Sequence, residues 1–186
     1  MQNQQPSTLK EIRVHGTQDF PCAFYQTGTR IKGNMVKHHW HEEVELLYFS
    51  GGEFCLEVNM ERFNISEECF YVINPGELHS ISVEKNGGCV ENAVVFHMDM
   101  LSSAYALDQI QTNLIQPVQN GSIQFPRCLR KNEPAFELVR KSYEEIRNVF
   151  GGDSFRENYY DGEAVTDDIT RQLFIKSTLL RILAVL

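Results

Sequence analysis

The sequence predicts a mainly β fold, a jelly-roll-like barrel of short strands followed by α-helices, and three observations carry that prediction. Turn signals punctuate the chain at intervals of roughly 8 to 15 residues from about Glu11 to Phe125, the rhythm of an all-β sandwich or barrel. The segments between them are rich in aromatic and β-branched residues and contain no proline beyond Pro21 at the start of the first. From Asn132 onward the apolar residues instead recur at steps of three and four, the period of a helix. The 186 residues, 42% of them apolar, suffice for one sizeable core. Residues 1–130 are therefore assigned to the barrel and residues 131–186 to a helical region.

The strands are expected at FPCAFYQ, EVELLYFS, EFCLEVN, RFNI, CFYVIN, HSISVE and ENAVVFHMD. The marks between them are Gly33, Gly51-Gly52, Asn59, Pro75-Gly76 and Asn86-Gly87-Gly88. EVELLYFS and EFCLEVN are expected to form a hairpin that turns at the two glycines. A loop-rich stretch follows, with a short helix over 104–114 and a brief strand over 122–125. The next helix takes Asn132 as its cap and Pro134 in its first turn, and stops at Gly151-Gly152; its apolar stripe is Phe136, Val139, Tyr143, Ile146 and Phe150. Asp153 to Glu163 reads as a loop. A last helix begins near Thr166 with Asp167 and Asp168 in its first turn and runs to Leu186 without a stop signal, as if the chain were cut inside a helix.

Charge and composition exclude several functions. A formal charge of −8 repels phosphate backbones, so the chain by itself is not expected to bind nucleic acid. Its one basic cluster, Arg127, Arg130 and Lys131, reads as a solvated surface. MQNQQPSTLK contains no apolar run and no later segment is long enough to span a bilayer, so a cytoplasmic protein without a membrane partner is expected. The five cysteines are widely spaced and read as small apolar side chains in a reducing compartment.

Chemistry concentrates in GNMVKHHWHEEVELLYFSGG, Gly33 to Gly52. Were this one strand, side chains would alternate with period 2, and His39, His41 and Glu45 would share the inward face with Glu43, Leu47 and Phe49. His79, just after Pro75-Gly76, adds a third imidazole from a neighbouring strand. His39, His41, Glu45 and His79 suit a divalent metal, whether zinc, iron, nickel or manganese, with positions left open to water or substrate. Burying Glu43 beside Glu45 would be costly without a cation or hydrogen bonds. Trp40 reads as a packing residue, His15 and His38 as surface groups, and His97 as a structural histidine.

The spacing Gly33, five residues, His39, one, His41, three, Glu45, six, Gly52 matches the first cupin motif at every position. The second motif survives as Gly76 and His79; its proline sits one place late at Pro75, its early glycine is lost at or near Cys69, and its asparagine is replaced by Val83. FPCAFYQ, HHWHEEVELLYFSGGEFCLEVN and FYVINPGELHSI together resemble the amino-terminal cupin sensor domain of AraC-type transcription regulators. That resemblance implies a small-molecule effector, such as a sugar, held by His39, His41, Glu45, His79 and Glu43, with Tyr25 and Arg30 at the mouth of the barrel. It implies a homodimer formed through the carboxy-terminal helices, and DNA binding only through a helix-turn-helix domain that this sequence lacks. It implies a regulator rather than an enzyme; the alternative is a metal-dependent cupin enzyme, a dioxygenase or sugar isomerase.

Overall fold

The alternation along Val44–Phe49 sets how the layers stack. This strand, β3, is buried on both sides, with Leu47 and Phe49 directed into one hydrophobic core and Val44, Leu46 and Tyr48 into another. The computed structural model describes residues 7–86, 89–105, 107–151 and 162–186. Before β3 come β1 (Cys22–Thr29) and β2 (Gly33–His39); after it come β4 (Phe54–Val58), β5 (Glu61–Ile65), β6 (Cys69–Ile73), β7 (His79–Val83) and β8 (Cys89–Phe96). Short strands β9 (Cys128–Arg130) and β10 (Gly162–Ala164) complete the sheets. One sheet has the order β10-β1-β8-β3-β6-β9 and the other β2-β7-β4-β5, and all their pairings are antiparallel. The cupin-type jelly roll expected from the sequence is formed by these two sheets facing each other across the inner core.

Helices cover the outer face of the six-stranded sheet. α1 (Gln116–Gln119) continues a π-helical turn, Gln111–Ile115, and is followed by α2 (Phe136–Val149) and α3 (Ile169–Leu183). Phe136, Val139, Tyr143, Ile146 and Phe150 are all buried, the stripe read from the sequence. Tyr143 lies among Phe24, Tyr48 and Phe70, at ring-centroid distances of 6.0, 5.0 and 5.5 Å.

Several local expectations are corrected. β3 pairs with β6 and β8 rather than β4, so Gly51-Gly52 carries the chain from one sheet to the other instead of closing a hairpin. Strand periodicity cannot separate those two connections, because each leaves the alternation intact. The hairpin is β4–β5, whose two-residue loop places Asn59 and Met60 at φ of 49° and 72°, the twist of a type I′ turn. The helical stretch runs later than 104–114, through Gln111–Ile115 and α1. The brief strand is β9 rather than 122–125, because Cys128–Arg130 finds a ladder partner in β6. α2 starts at Phe136, beyond Asn132 and Pro134, with Ala135 at its cap. Asp168 caps α3 by accepting from the Arg171 backbone N–H at 2.8 Å rather than sitting in its first turn. The expected loop over Asp153 to Glu163 lies outside the described residues except at its end, which joins β10.

The basic cluster is also not uniformly solvated. Arg127 forms an ion pair with the buried carboxylate of Glu77, with its Nη1 2.6 Å from Oε2. Among the described residues, no helix is long and apolar enough to cross a membrane.

Candidate functional site at the sheet crossing

The histidines meet where the chain passes between the sheets. β2 ends at His39 and β3 begins at Val44, so the extended run breaks over 40–43 and His41 sits in the connection. His39, His41 and Glu45 therefore do not share one strand face, as the alternation argument required. They converge because β2 and β3 belong to opposite sheets and the connection folds His41 between them. His79 opens β7 directly across the ladder from His39, with ring centroids 4.2 Å apart.

The turn before β7 fixes both His41 and His79. Gly76 has φ +79°, and with Pro75 before it the pair occupies the central positions of a type II turn. The late proline that departs from the cupin motif is the residue such a turn favours. The Gly76 backbone N–H donates to the His41 carbonyl at 2.7 Å. The Asn74 backbone N–H donates to Glu77 Oε2 at 2.7 Å, and the Arg127 guanidinium closes the same carboxylate from outside. A buried carboxylate with these partners holds the turn rigid.

Hydrogen bonds also fix the imidazole tautomers. His39 Nδ1 donates to the Lys37 carbonyl at 2.8 Å, and His79 Nδ1 donates to the Glu77 carbonyl at 2.9 Å. A backbone acceptor on Nδ1 turns the Nε2 lone pair toward the cluster, the arrangement seen in metal-ligating histidines. His79 Nε2 lies 3.0 Å and His41 Nε2 3.4 Å from Glu45 Oε2. The His79 Nε2 and Glu45 Oε2 atoms are nonetheless buried without a hydrogen-bond partner, as is His41 Nδ1. Two donors on a tetrahedral ion with bonds of about 2.0–2.1 Å stand about 3.3 Å apart. The observed separations match that edge, and His39, His41 and His79 each offer an atom within 4.8 Å of the others. The three imidazoles therefore fit a divalent cation, with Glu45 beside two of them.

The amino-terminal segment closes the site from above. Glu11 N–H donates to the Trp40 carbonyl at 2.9 Å and Trp40 N–H to the Leu9 carbonyl at 3.0 Å, so Trp40 anchors this segment rather than the helices. Gly16 has φ +80°, and a Cβ there would fall 2.5 Å from the Cys22 backbone, so only glycine lets the chain pass. That passage presses His15 against Tyr25. A cavity of about 490 Å³ results, with Glu11, Arg13 and His15 on one wall and His39, His41, Glu45 and Tyr25 on the others. Lys37, Glu91 and Glu163 add further charge to the lining.

Electrostatics follow from this crowding. Burial raises the pKa of Glu45, but contacts with His41 and His79 outweigh it and hold the carboxyl well below the usual range. For His79, burial favours the neutral ring while Glu45 raises its pKa above the ordinary value. Burial and the charge of His79 lower His39. Without another cation, the His79–Glu45 contact takes a proton.

The predicted residues divide clearly. His39, His41, Glu45 and Tyr25 line the cavity and His79 lies just beneath it. Glu43 is displaced because the strand breaks before it; it sits behind His41, 3.6 Å from Nδ1, outside the cavity lining. Arg30 lies in the exposed turn between β1 and β2 and does not line the cavity, because β1 carries it past the mouth. His97 caps a short 3₁₀ turn away from the site, and His38 faces Glu57 at 3.0 Å on the exposed side of β2. His15 is buried rather than exposed. Sequence reasoning missed His15, Glu11 and Glu163, although Glu11, Arg13 and His15 alternate with the exposed Ile12 and Val14.

Residues 26–157 match the family model of the AraC-like ligand-binding domain. An uncharacterized HTH-type transcriptional regulator of Bacillus subtilis, YdeC, is 28% identical over an alignment of 114 positions that covers 57% of this chain and 39% of the relative. The chain thus spans about two fifths of that relative's length. Similar solved structures include a predicted oxalate decarboxylase from Thermotoga maritima, 24% identical, TM-score 0.37, covering 40% of this chain and 64% of that one. Another is a cupin protein from Bacteroides fragilis, 14% identical, TM-score 0.39, covering 47% and 75%.

Proposed function

The chain belongs to the AraC-like ligand-binding domain family, and from that membership we propose that it is the sensor and dimerisation domain of an AraC-type transcription regulator. A small polar effector, a sugar or polyol, enters the cavity at the sheet crossing. The observation that supports this reading is a cavity lined by charged and polar side chains, with the imidazoles of His41 and His79 crowded against the buried Glu45 carboxylate at its base. Such groups are costly unless a ligand or cation completes them.

His39, His41 and His79, with Glu45, would hold a divalent metal. Such an ion would supply a Lewis-acid centre for effector oxygens. Arg13 and Lys37 favour hydroxyl or carboxylate groups on the effector, and Tyr25 fixes the wall through its hydrogen bond to Glu163. β3 carries Glu45 on its inner side and packs Leu46 and Tyr48 under α2 and α3 on the other, so ligand-driven movement of β3 reaches the helices. Coupling of about 1–3 kcal/mol is the usual scale for such a switch. Ile169, Leu173 and Phe174 are exposed on α3 and provide the dimer contact. DNA is bound in the cytoplasm through a further domain, and the chain is not an enzyme. The same donors would serve a metal-dependent dioxygenase or isomerase, but a ligand-binding family weighs against catalysis.

Elemental analysis of untagged protein tests this reading beside the His41→Ala/His79→Ala double variant. About one equivalent of a divalent metal is expected in the parent and none in the variant. A metal-free parent whose melting temperature moves with no sugar or polyol would overturn it. Sedimentation of Phe174→Glu tests the dimer separately; an unchanged dimer would exclude α3 as the contact.

A further inference from the structure

A second group of donors lies above the first. Glu11, His15 and His41 each place a ligand atom within 4.8 Å of the others. Glu11 and His15 come from the amino-terminal segment, whereas His41 comes from the sheet crossing. His15 is buried, and its Nε2 has no hydrogen-bond partner.

The tautomer of His15 follows from its neighbours. Tyr25 Oη donates its proton to Glu163 Oε1 at 2.8 Å. Its contact with His15 Nδ1, also 2.8 Å, must then be donated by the imidazole. His15 Nε2 is left facing Glu11 Oε2 at 3.3 Å, again the edge of a coordination tetrahedron. The Glu163–Tyr25–His15 chain thus orients this imidazole as backbone carbonyls orient His39 and His79.

We propose that Glu11, His15 and His41 form a second seat for a divalent cation, alternative to the three-imidazole seat below. His41 belongs to both sets, so one ion occupies one seat at a time. In the upper seat the ion ties the amino-terminal segment to the crossing; in the lower seat it leaves that segment to its backbone contacts with Trp40, the Lys10–Glu42 ion pair and the His15–Tyr25 hydrogen bond. An effector that completes the lower coordination shell draws the ion downward and loosens the segment. The inference rests on the metal reading of the lower set, but it is tested where that set is disabled.

Zinc is the probe, added to chelator-stripped protein. His79→Asn disables the lower seat, and the variant is expected to retain about one equivalent through the upper seat. His15→Gln alone also retains one equivalent, in the lower seat. The combination His15→Gln/His79→Asn is expected to weaken binding roughly a hundredfold, as is the Glu11→Gln/His79→Asn combination at a more exposed position. Exchange of the Glu11 amide, hydrogen-bonded to Trp40, should slow with zinc in His79→Asn and not in the double variants. Two outcomes overturn the proposal: no zinc bound by folded His79→Asn, or unchanged zinc affinity in both double variants. Two equivalents in the parent would overturn the alternation between seats. Loss of all zinc from His15→Gln, with His79→Asn still loaded, would instead remove the lower seat and the metal reading of the function.

Discussion

The two sides of β3 are equally buried and chemically opposite. Under the helices, Leu46 and Tyr48 meet Phe70, Phe136 and Tyr143, an aromatic and aliphatic layer. Toward the facing sheet, Phe49 and Leu47 begin in an equally apolar core, but two residues farther along the same face stands Glu45 among three imidazoles. One face spends its burial on cohesion; the other buries imidazoles and carboxylates whose contribution depends on protonation and on what binds them. A truncation on the helix side should therefore cost stability, and a change at the crossing should cost binding.

The largest effect is expected for Tyr143→Ala, which removes a fully buried ring and should lower unfolding free energy by about 4 kcal/mol, measured by urea denaturation. Tyr143→Phe sharpens the point. The hydroxyl has no hydrogen-bond partner, so its removal is expected to leave stability unchanged or raise it by up to about 1 kcal/mol. Next comes Arg127→Ala, which strips the buried Glu77 carboxylate of its cation and should cost about 3 kcal/mol. A cost below that of an ordinary surface substitution would show that the turn before His79 does not depend on the pair. Met60→Gly should give a small gain, about 1 kcal/mol, because an exposed methionine holds φ +72° in the β4–β5 turn.

The pH dependence separates the two faces without mutation. His15 and His79 are raised in the fold, against burial, by Glu11 and Glu45 respectively, so they contribute stability that is fully present below about pH 6.5 and fades as pH rises through their folded values. Glu45 and Glu11 are lowered against burial by the neighbouring histidines, so their contribution is present above about pH 4.3 and fades as pH falls through their folded values. His39, lowered, opposes the histidine effect in part, losing stability as pH drops from about 6.5. With two raised against one lowered, metal-free protein should have a higher urea midpoint at about pH 5.5 than at about pH 8. Saturating zinc should reverse that order, because protons and zinc compete for the same nitrogens. A metal-free midpoint that rises toward pH 8 would contradict the assigned contacts.

The sequence told the two faces apart only where alternation persists. From Glu45 to Phe49 the period-2 pattern placed every side chain on its proper side, and the α2 stripe was legible from Phe136 to Phe150. The cluster of His39, His41, Glu45 and His79 was also legible, although by the wrong geometry: one strand was inferred where two sheets meet. Glu43 was lost to the same break. Sheet membership is decided by long-range ladders, which is why Gly51-Gly52 read as a hairpin. His15 was hidden for another reason, because its burial depends on a neighbour ten residues away and on a close passage at Gly16. The alternation of Glu11, Arg13 and His15 with Ile12 and Val14 was present, but it runs polar side inward and makes sense only once the cavity is known.

The most direct test is anomalous scattering from crystals of the protein soaked in zinc. The account predicts a peak inside the cavity, about 2.0–2.1 Å from a His41 nitrogen and bonded to His39 and His79 or to Glu11 and His15. Zinc found only on outer histidines such as His38 or His97, with His41 untouched, would contradict it.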